Sequence, residues 1–166
     1  MTPVVSPPKA PAPPRKPRPV RVVARNRRAR HDYEILETFE AGIVLRGTEV
    51  KTLRAGRGSI VGAFGRVKGG EVWLEGVTIP PYEAGNRHNH DPLRTRKLLM
   101  HRREIRRLIG AVEQKGHTLV PLELHFRGPH AKVVVALARG KKEYDRRDEI
   151  RRREHEREMA RAVKRR

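Results

Sequence analysis

The apolar residues of this chain are concentrated in its middle, between two strongly basic ends, and this limits which part can fold. Residues 1–30 contain nine basic residues and no acidic one, a charge of +9. Residues 139–166 contain 13 basic and 7 acidic residues, a charge of +6. The middle, residues 31–138, carries +5 of the total charge of +20. A core can therefore form only in the middle, and the basic ends predict attraction to a polyanion, of which nucleic acid is the default.

The composition excludes several classes of protein. The sequence has no cysteine, which rules out disulfides and cysteine-ligated zinc. No apolar run approaches the ~20 residues of a membrane span, and the Pro-rich N-terminus lacks the apolar segment of a signal peptide. We expect a cytoplasmic protein without membrane association. Nothing in the sequence demands an oligomer, so we expect a monomer.

The chain divides into three parts. Eight of its 13 prolines lie in the first 19 residues, and proline fixes φ and removes a backbone donor, so we expect a disordered basic arm over residues 1–24. Residues 25–138 are expected to form one folded domain. Residues 139–166 are rich in charged helix formers, but their apolar residues are too sparse to pack against a core. We expect this tail to be disordered when free and helical when bound.

Short strands dominate the pattern of the middle segment. The runs Ile60–Val67 and Val72–Ile79 are separated by Gly69-Gly70, a hairpin signal. Thr48–Arg54 reads as a short helix capped by Thr48, and apolar residues at i, i+3, i+4 and i+7 over Ile105–Val112 predict an amphipathic helix. We expect a mainly β fold, a small antiparallel barrel of the oligonucleotide-binding (OB-like) type with two or three flanking helices.

Residues 82–97 are polar and without periodicity, which predicts a long loop of the kind that often carries function. Within it, His88, His90 and Asp91 place three potential metal ligands close together, so a metal-dependent nuclease is one hypothesis. Asp91-Pro92 also reads as a turn, and we favour a hydrogen-bonded loop. No nucleophile, base and oxyanion hole come together, so we expect no catalytic residue, no metal and no cofactor. A basic structural ribosomal protein is the other alternative.

The sequence has seven aromatic residues. Most lie in predicted strands and are expected in the core, and no paired aromatic stripe for base stacking is evident. Recognition is therefore expected to depend on RNA shape and backbone. Tyr144 is the exception, because it lies in the tail without a core to join and could stack on a base.

Five blocks in series resemble one family. They are Asn26–Tyr33, Phe39–Gly42, Gly47–Gly56, Asp91–Leu99 and Gly140–Arg147. Together they resemble small protein B, the SsrA-binding protein family of bacterial trans-translation. The resemblance covers about residue 25 to the C-terminus and leaves the Pro-rich arm outside.

The resemblance implies an OB-like barrel that binds the tRNA-like domain of transfer-messenger RNA (tmRNA). It also implies delivery of that RNA to stalled ribosomes, together with the elongation factor that carries aminoacyl-tRNA. The tail would enter the empty messenger channel, against the small-subunit RNA, and fold there as a helix. The implied protein is an RNA-binding rescue factor and not an enzyme.

Carried over by position, the resemblance implies an RNA-binding face that includes Glu40, Leu99, His101 and Lys132. We extend this face to the neighbouring short helix, at Thr48, Glu49, Lys51 and Arg54. Glu40 would accept hydrogen bonds from base or sugar donors and Lys132 would contact a phosphate, while Leu99 would pack either on a nucleotide or in the core. The block implied to lie at the decoding centre comprises Gly140, Lys141, Lys142, Tyr144, Asp145, Arg146 and Arg147.

Overall fold

The computed structural model describes residues 19–113, 116–141 and 143–164. The strands are β1 (Val20–Arg25), β2 (Tyr33–Ile43), β3 (Phe64–Lys68), β4 (Glu71–Glu75), β5 (Arg96–Leu99), β6 (His117–Arg127) and β7 (His130–Gly140). The helices are α1 (Ala29–Asp32), α2 (Gly47–Arg54), α3 (Arg102–Val112) and α4 (Glu143–Lys164), and a 3-10 helix spans Glu83–His88. Among the helices in these ranges, none combines the length and hydropathy that a membrane crossing requires.

Six antiparallel strands close into a barrel. Around the ring, β2 pairs with β7, β7 with β6, β6 with β3, β3 with β4, β4 with β5, and β5 returns to β2. The seventh strand, β1, pairs with β6 outside this ring. The mainly β, OB-like barrel predicted from the sequence is confirmed.

The strands fill the barrel with alternate side chains. On β4, Val72 and Leu74 are completely buried, whereas the residues between and beside them remain partly exposed. Leu53 of α2 and Leu108 of α3 are also completely buried, and each such leucine contributes about 1.5–3 kcal/mol of burial. These two anchors hold both helices against the barrel wall.

The β3–β4 hairpin has the turn that the sequence predicts. Gly69 and Gly70 have φ values of +60° and +71°, and a two-residue turn of this type requires positive φ at both positions. The flanking strands are shorter than predicted: residues 60–63 lie in turns, and Ser59 and Thr78 form only an isolated bridge.

The sheet extends beyond both boundaries drawn from the sequence. Residues 20–24 belong to β1 and not to the arm, because they pair with β6 about 100 positions later. Likewise β7 runs to Gly140, which pairs with Tyr33. Residues 1–18 lie outside the described part of the chain, so the predicted disorder of the arm stays a prediction there.

The tail forms helix α4 directly after the barrel. Its described side chains, at 150–159 and 161, are all exposed, in keeping with the scarcity of apolar residues. At ~1.5 Å per residue its 22 residues span about 33 Å. That the tail is disordered when free remains a prediction.

Candidate nucleic-acid interface

Four of the predicted RNA-binding residues line one concave surface. Glu40, Leu99, His101 and Lys132 surround a depression of about 750 Å³ between the outer face of β2 and β7 and the N-terminal end of α3. The tip of the β3–β4 hairpin forms the opposite rim, with Gly69 and Gly70. We call this surface the main depression.

Leu99 and Lys132 are brought together by strand register. Lys132 on β7 pairs with Gly42 on β2, and Gly42 pairs in turn with Leu99 on β5. A Cβ atom on Gly42 would lie 3.2 Å from the Leu99 Cβ, which is tighter than ordinary contact. The leucine side chain is 55% exposed, so Leu99 is a surface residue here and not part of the core.

The charges along the rim differ in how they are paired. Glu40 Oε2 accepts a hydrogen bond of 2.7 Å from Arg127, and buried His125 lies behind it with Nε2 at 3.6 Å. Lys132, by contrast, has no carboxylate within 4.0 Å among the described residues. Arg127 thus holds the Glu40 carboxylate in place, while the Lys132 ammonium remains available to an incoming phosphate.

His101 lies immediately before α3. Its backbone N–H donates to Glu104 Oε2 at 3.0 Å, which fixes the start of the helix. The helix then presents a basic face to solvent, formed by Arg102, Arg103, Arg106 and Arg107. Arg107 pairs with Glu37 of β2 at 3.0 Å. Arg102 is the member of this face that also lines the main depression.

A second depression of about 410 Å³ continues the first toward α2. The two share Leu99 and Lys132. The Arg54 guanidinium lies 5.5 Å from the ring centre of Phe126, which lines this second depression, and Lys51 lies 5.4 Å from the ring of Tyr82. Lys51 and Arg54 are both exposed on one side of α2, since residues three apart share a helix face.

Glu49 is the predicted contact that the structure contradicts. Its side chain is completely buried, and so is its partner Arg96. Arg96 Nε donates to Glu49 Oε1 at 2.9 Å, and Arg94 Nη2 donates to Oε2 at 2.5 Å. The Arg46 N–H also donates to Oε2, at 2.6 Å. A carboxylate so enclosed ties α2 to β5 and cannot reach RNA.

The environment of Glu49 keeps it ionised. Burial alone would raise its pKa, but hydrogen bonds from Arg94 and from the Arg46 N–H, with the charge of Arg96, hold the pKa below its ordinary value. Burial lowers the pKa of Arg96, an effect that the adjacent Glu49 carboxylate opposes. Arg96 also donates to the carbonyls of Val77, Arg94 and Pro92, so the buried guanidinium is well satisfied.

Thr48 also has a different role from the predicted cap. It is the second residue of α2, and its hydroxyl is hydrogen-bonded to His90 Nδ1 at 3.0 Å. His90 Nε2 is 2.8 Å from the Ile79 carbonyl. Thr48 therefore fastens the loop to the helix, half-buried beneath the surface.

The same contacts bear on the nuclease hypothesis. Both ring nitrogens of buried His90 are engaged, and Asp91 Oδ1 accepts the Leu93 N–H at 3.0 Å as in a turn. In the part of the chain that the structure describes, no three histidine or acidic side chains are grouped as metal ligands. The geometry favours the hydrogen-bonded loop.

The predicted decoding-centre block starts inside the barrel. Gly140 ends β7, the Lys141 N–H donates to the Asp32 carbonyl at 3.1 Å, and Lys141 Nζ donates to the Arg30 carbonyl at 3.1 Å. Lys142 lies outside the described residues. The backbone of the remaining members lies in the first two turns of α4, and their side chains are outside the described part: Tyr144, Asp145, Arg146 and Arg147.

The residues that hold the site in place have no distinctive signal in the sequence. Arg127 and Arg96 support Glu40 and α2 respectively, yet each looks like one more cation in a basic chain. Most aromatic residues of the predicted strands were expected in the core, but Phe64 is exposed and Trp73 is half-buried on the outer face of the barrel. The alternation of Val72, Trp73 and Leu74 was the available signal, since it puts the indole opposite the two buried neighbours.

Known proteins resemble this chain in both sequence and structure. A family model described as SmpB protein matches residues 23–165. The SsrA-binding protein of Desulforudis audaxviator is 56% identical over 146 residues, covering 88% of this chain and 95% of the relative. That of Thermobifida fusca is 58% identical over 146 residues, covering 88% and 91%.

A solved structure agrees with these relatives. It is described as "tmRNA-SmpB: a journey to the center of the bacterial ribosome", and its matching chain is 61% identical, with a TM-score of 0.61. The match covers 72% of this chain and 84% of that one. The chain therefore belongs to the SmpB protein family, in which these similar relatives are named SsrA-binding proteins.

Proposed function

We propose that this protein binds the tRNA-like domain of tmRNA through the main depression and brings it to stalled ribosomes, without a catalytic step of its own. The observation that carries the proposal is the convergence of Glu40, Leu99, His101 and Lys132 on one concave surface. Membership of the SmpB family, with relatives named SsrA-binding protein and a similar solved structure whose description names tmRNA, SmpB and the bacterial ribosome, supports the choice of RNA.

The surface chemistry suits structured RNA. Lys132 and Arg102 offer cations to phosphates, and Leu99 offers an exposed apolar side chain to the face of a nucleotide. Glu40, held by Arg127, accepts hydrogen bonds from base or sugar hydroxyl donors. Arg54, over Phe126 of the second depression, and Lys51 on the same side of α2 extend the positive surface.

The tail acts at the ribosome. The side chains of α4 that the structure describes are exposed, and the tail has a strong excess of basic residues. Packing against the barrel therefore stabilises α4 little, whereas a channel lined by RNA would stabilise it through its charge. It enters the empty messenger channel beside the small-subunit RNA, with the Gly140–Arg147 block at the decoding centre. The elongation factor that carries aminoacyl-tRNA delivers the complex, in the cytoplasm, with the protein acting as a monomer.

Direct binding tests this proposal. The tRNA-like fragment is titrated against ordinary tRNA and bulk ribosomal RNA over a salt series. With ~6 phosphate contacts, log affinity should fall with log salt at a slope of roughly −5, and the tRNA-like fragment should bind most tightly. Equal affinity for bulk ribosomal RNA would favour a structural ribosomal protein instead, and a nearly flat slope would contradict the phosphate contacts.

A further inference from the structure

The outer face of the β3–β4 hairpin and β5 carries an arrangement that the proposed function does not use. Strand register places Arg66, Trp73 and Lys97 in one row across the three strands. Because Val72 and Leu74 beside the indole are completely buried, Trp73 projects outward. It lines a depression of about 470 Å³ with Arg66 and Lys68.

The cationic side chains on either side of Trp73 are paired with other residues, whereas the indole ring is not covered by a cation in the described part of the chain. The Arg66 guanidinium lies 5.9 Å from the ring centre of Phe64 and pairs with Glu75 at 3.5 Å. Lys97 pairs with Glu71. Among the described residues no cation lies over the Trp73 ring, and Lys68 has no carboxylate within 4.0 Å. This pair suits a nucleotide, because its base can stack on the Trp73 ring and its phosphate can pair with the Lys68 ammonium.

The position of this depression favours the same RNA over any other partner. It shares Gly69 and Glu71 with the main depression, so the two surfaces meet at the hairpin turn. We propose that Trp73 stacks on one unpaired base of the bound RNA, with Lys68 contacting an adjacent phosphate. This inference rests on the proposed function, because it extends the path of that RNA past the hairpin.

Tryptophan fluorescence gives a direct test, because Trp73 is the only tryptophan in the chain. The full chain is titrated with the tRNA-like fragment, and saturation is expected to quench the indole emission. Trp73→Phe keeps a ring and should bind within about threefold of the wild type, whereas Trp73→Leu keeps apolar volume without a π-face and should lose about 5- to 150-fold in affinity. Lys68→Ala should reduce the salt slope by about 0.7–0.9.

The outcomes separate this site from the proposed function. Unchanged emission at saturation, with unchanged affinity in Trp73→Leu, would overturn the stacking site and leave the main depression standing. Equal losses in the Phe and Leu variants would assign Trp73 a packing role and also overturn it. Failure of the wild-type chain to bind the fragment at all would overturn both proposals.

Discussion

Leu99 lies directly across from Gly42, and the absence of a side chain on Gly42 is what makes room for it. The Cβ of any larger residue there would approach the Leu99 Cβ to 3.2 Å. Together with Lys132, Leu99 lines both the main depression and the second one. The position of the exposed Leu99 side chain in the proposed RNA surface therefore depends on glycine at position 42.

Gly42→Ala should weaken RNA binding more than it weakens the fold. The added methyl displaces Leu99 by a few tenths of an ångström, and we expect a loss of about threefold to tenfold in affinity, the equivalent of roughly 0.6–1.4 kcal/mol. Affinity is measured with the tRNA-like fragment and stability by thermal unfolding. Gly110→Ala on α3 is the matched control, because nothing lies within 4 Å of its added Cβ; a loss of affinity as large as that of Gly42→Ala would contradict the steric explanation.

Glu49→Gln should destabilise the domain severely. Removing one partner of a buried ion pair leaves the other charge without compensation and costs about 3–5 kcal/mol, here at Arg96. Urea unfolding gives the free energy. Glu83→Gln removes an exposed partner of Arg57 and should cost at most about 1 kcal/mol. Similar costs for the two variants would show that the buried network does not hold α2 to β5.

The same carboxylate predicts a pH dependence of stability. Because the folded-state pKa of Glu49 lies below its ordinary value of 4.5, the unfolded chain takes up the proton more readily. Its contribution is therefore complete above about pH 4.5 and is lost as the pH falls through the lowered pKa. Urea midpoints at pH 7 and pH 3.5 should differ less in Glu49→Gln than in the wild type, and an identical difference would refute this assignment.

The hydrogen-bonded loop predicts that RNA stays intact. Both ring nitrogens of His90 are engaged, so His90 should not join the exposed His88 in binding a divalent ion. Incubation with the tRNA-like fragment and Mg²⁺ or Mn²⁺ should leave full-length RNA on a denaturing gel. Cleavage that appears with the metal, stops with a chelator and is lost in His90→Ala would revive the nuclease hypothesis.

Removing the tail should separate the two steps of rescue. A chain that ends at Lys141 keeps β7 and its last contacts with α1, so the barrel should bind the tRNA-like fragment within about threefold of the full chain, while rescue of stalled ribosomes in a translation assay is abolished. The milder Asp145→Ala with Arg147→Ala variant should impair rescue and leave binding unchanged. Parallel loss of binding and rescue would place the tail within the primary RNA site.

Periodic segments were predictable from the sequence, and buried polar residues were not. Helix α3 follows from the spacing of Ile105 and Leu108, and the β3–β4 turn follows from two adjacent glycines. Nothing local shows that Arg96 points inward, because its side of the sheet depends on the register of β5 with its neighbours. Likewise β1 owes its structure to pairing with β6 far along the chain, which a Pro- and Arg-rich context conceals.

For the candidate site, the family resemblance identified residues that composition alone could not. It placed Glu40 and Lys132 on one face although they are 92 positions apart, and register brings them to the same depression. Our extension of that face to α2 was wrong at Glu49, because closeness to the face was mistaken for exposure. A helix has a buried side as well as an open one, and only the packed structure shows which side each residue occupies.

If RNA binds in the main depression, combining Leu99→Ala with Lys132→Ala should weaken binding of the tRNA-like fragment. We predict a loss of at least about tenfold, or 1.4 kcal/mol, with little change in thermal unfolding, because both side chains lie at the surface. Leu93→Ala, a leucine 60% exposed on the loop, serves as the control and should bind normally. Affinity of the double variant equal to that of the wild type would show that the RNA binds elsewhere.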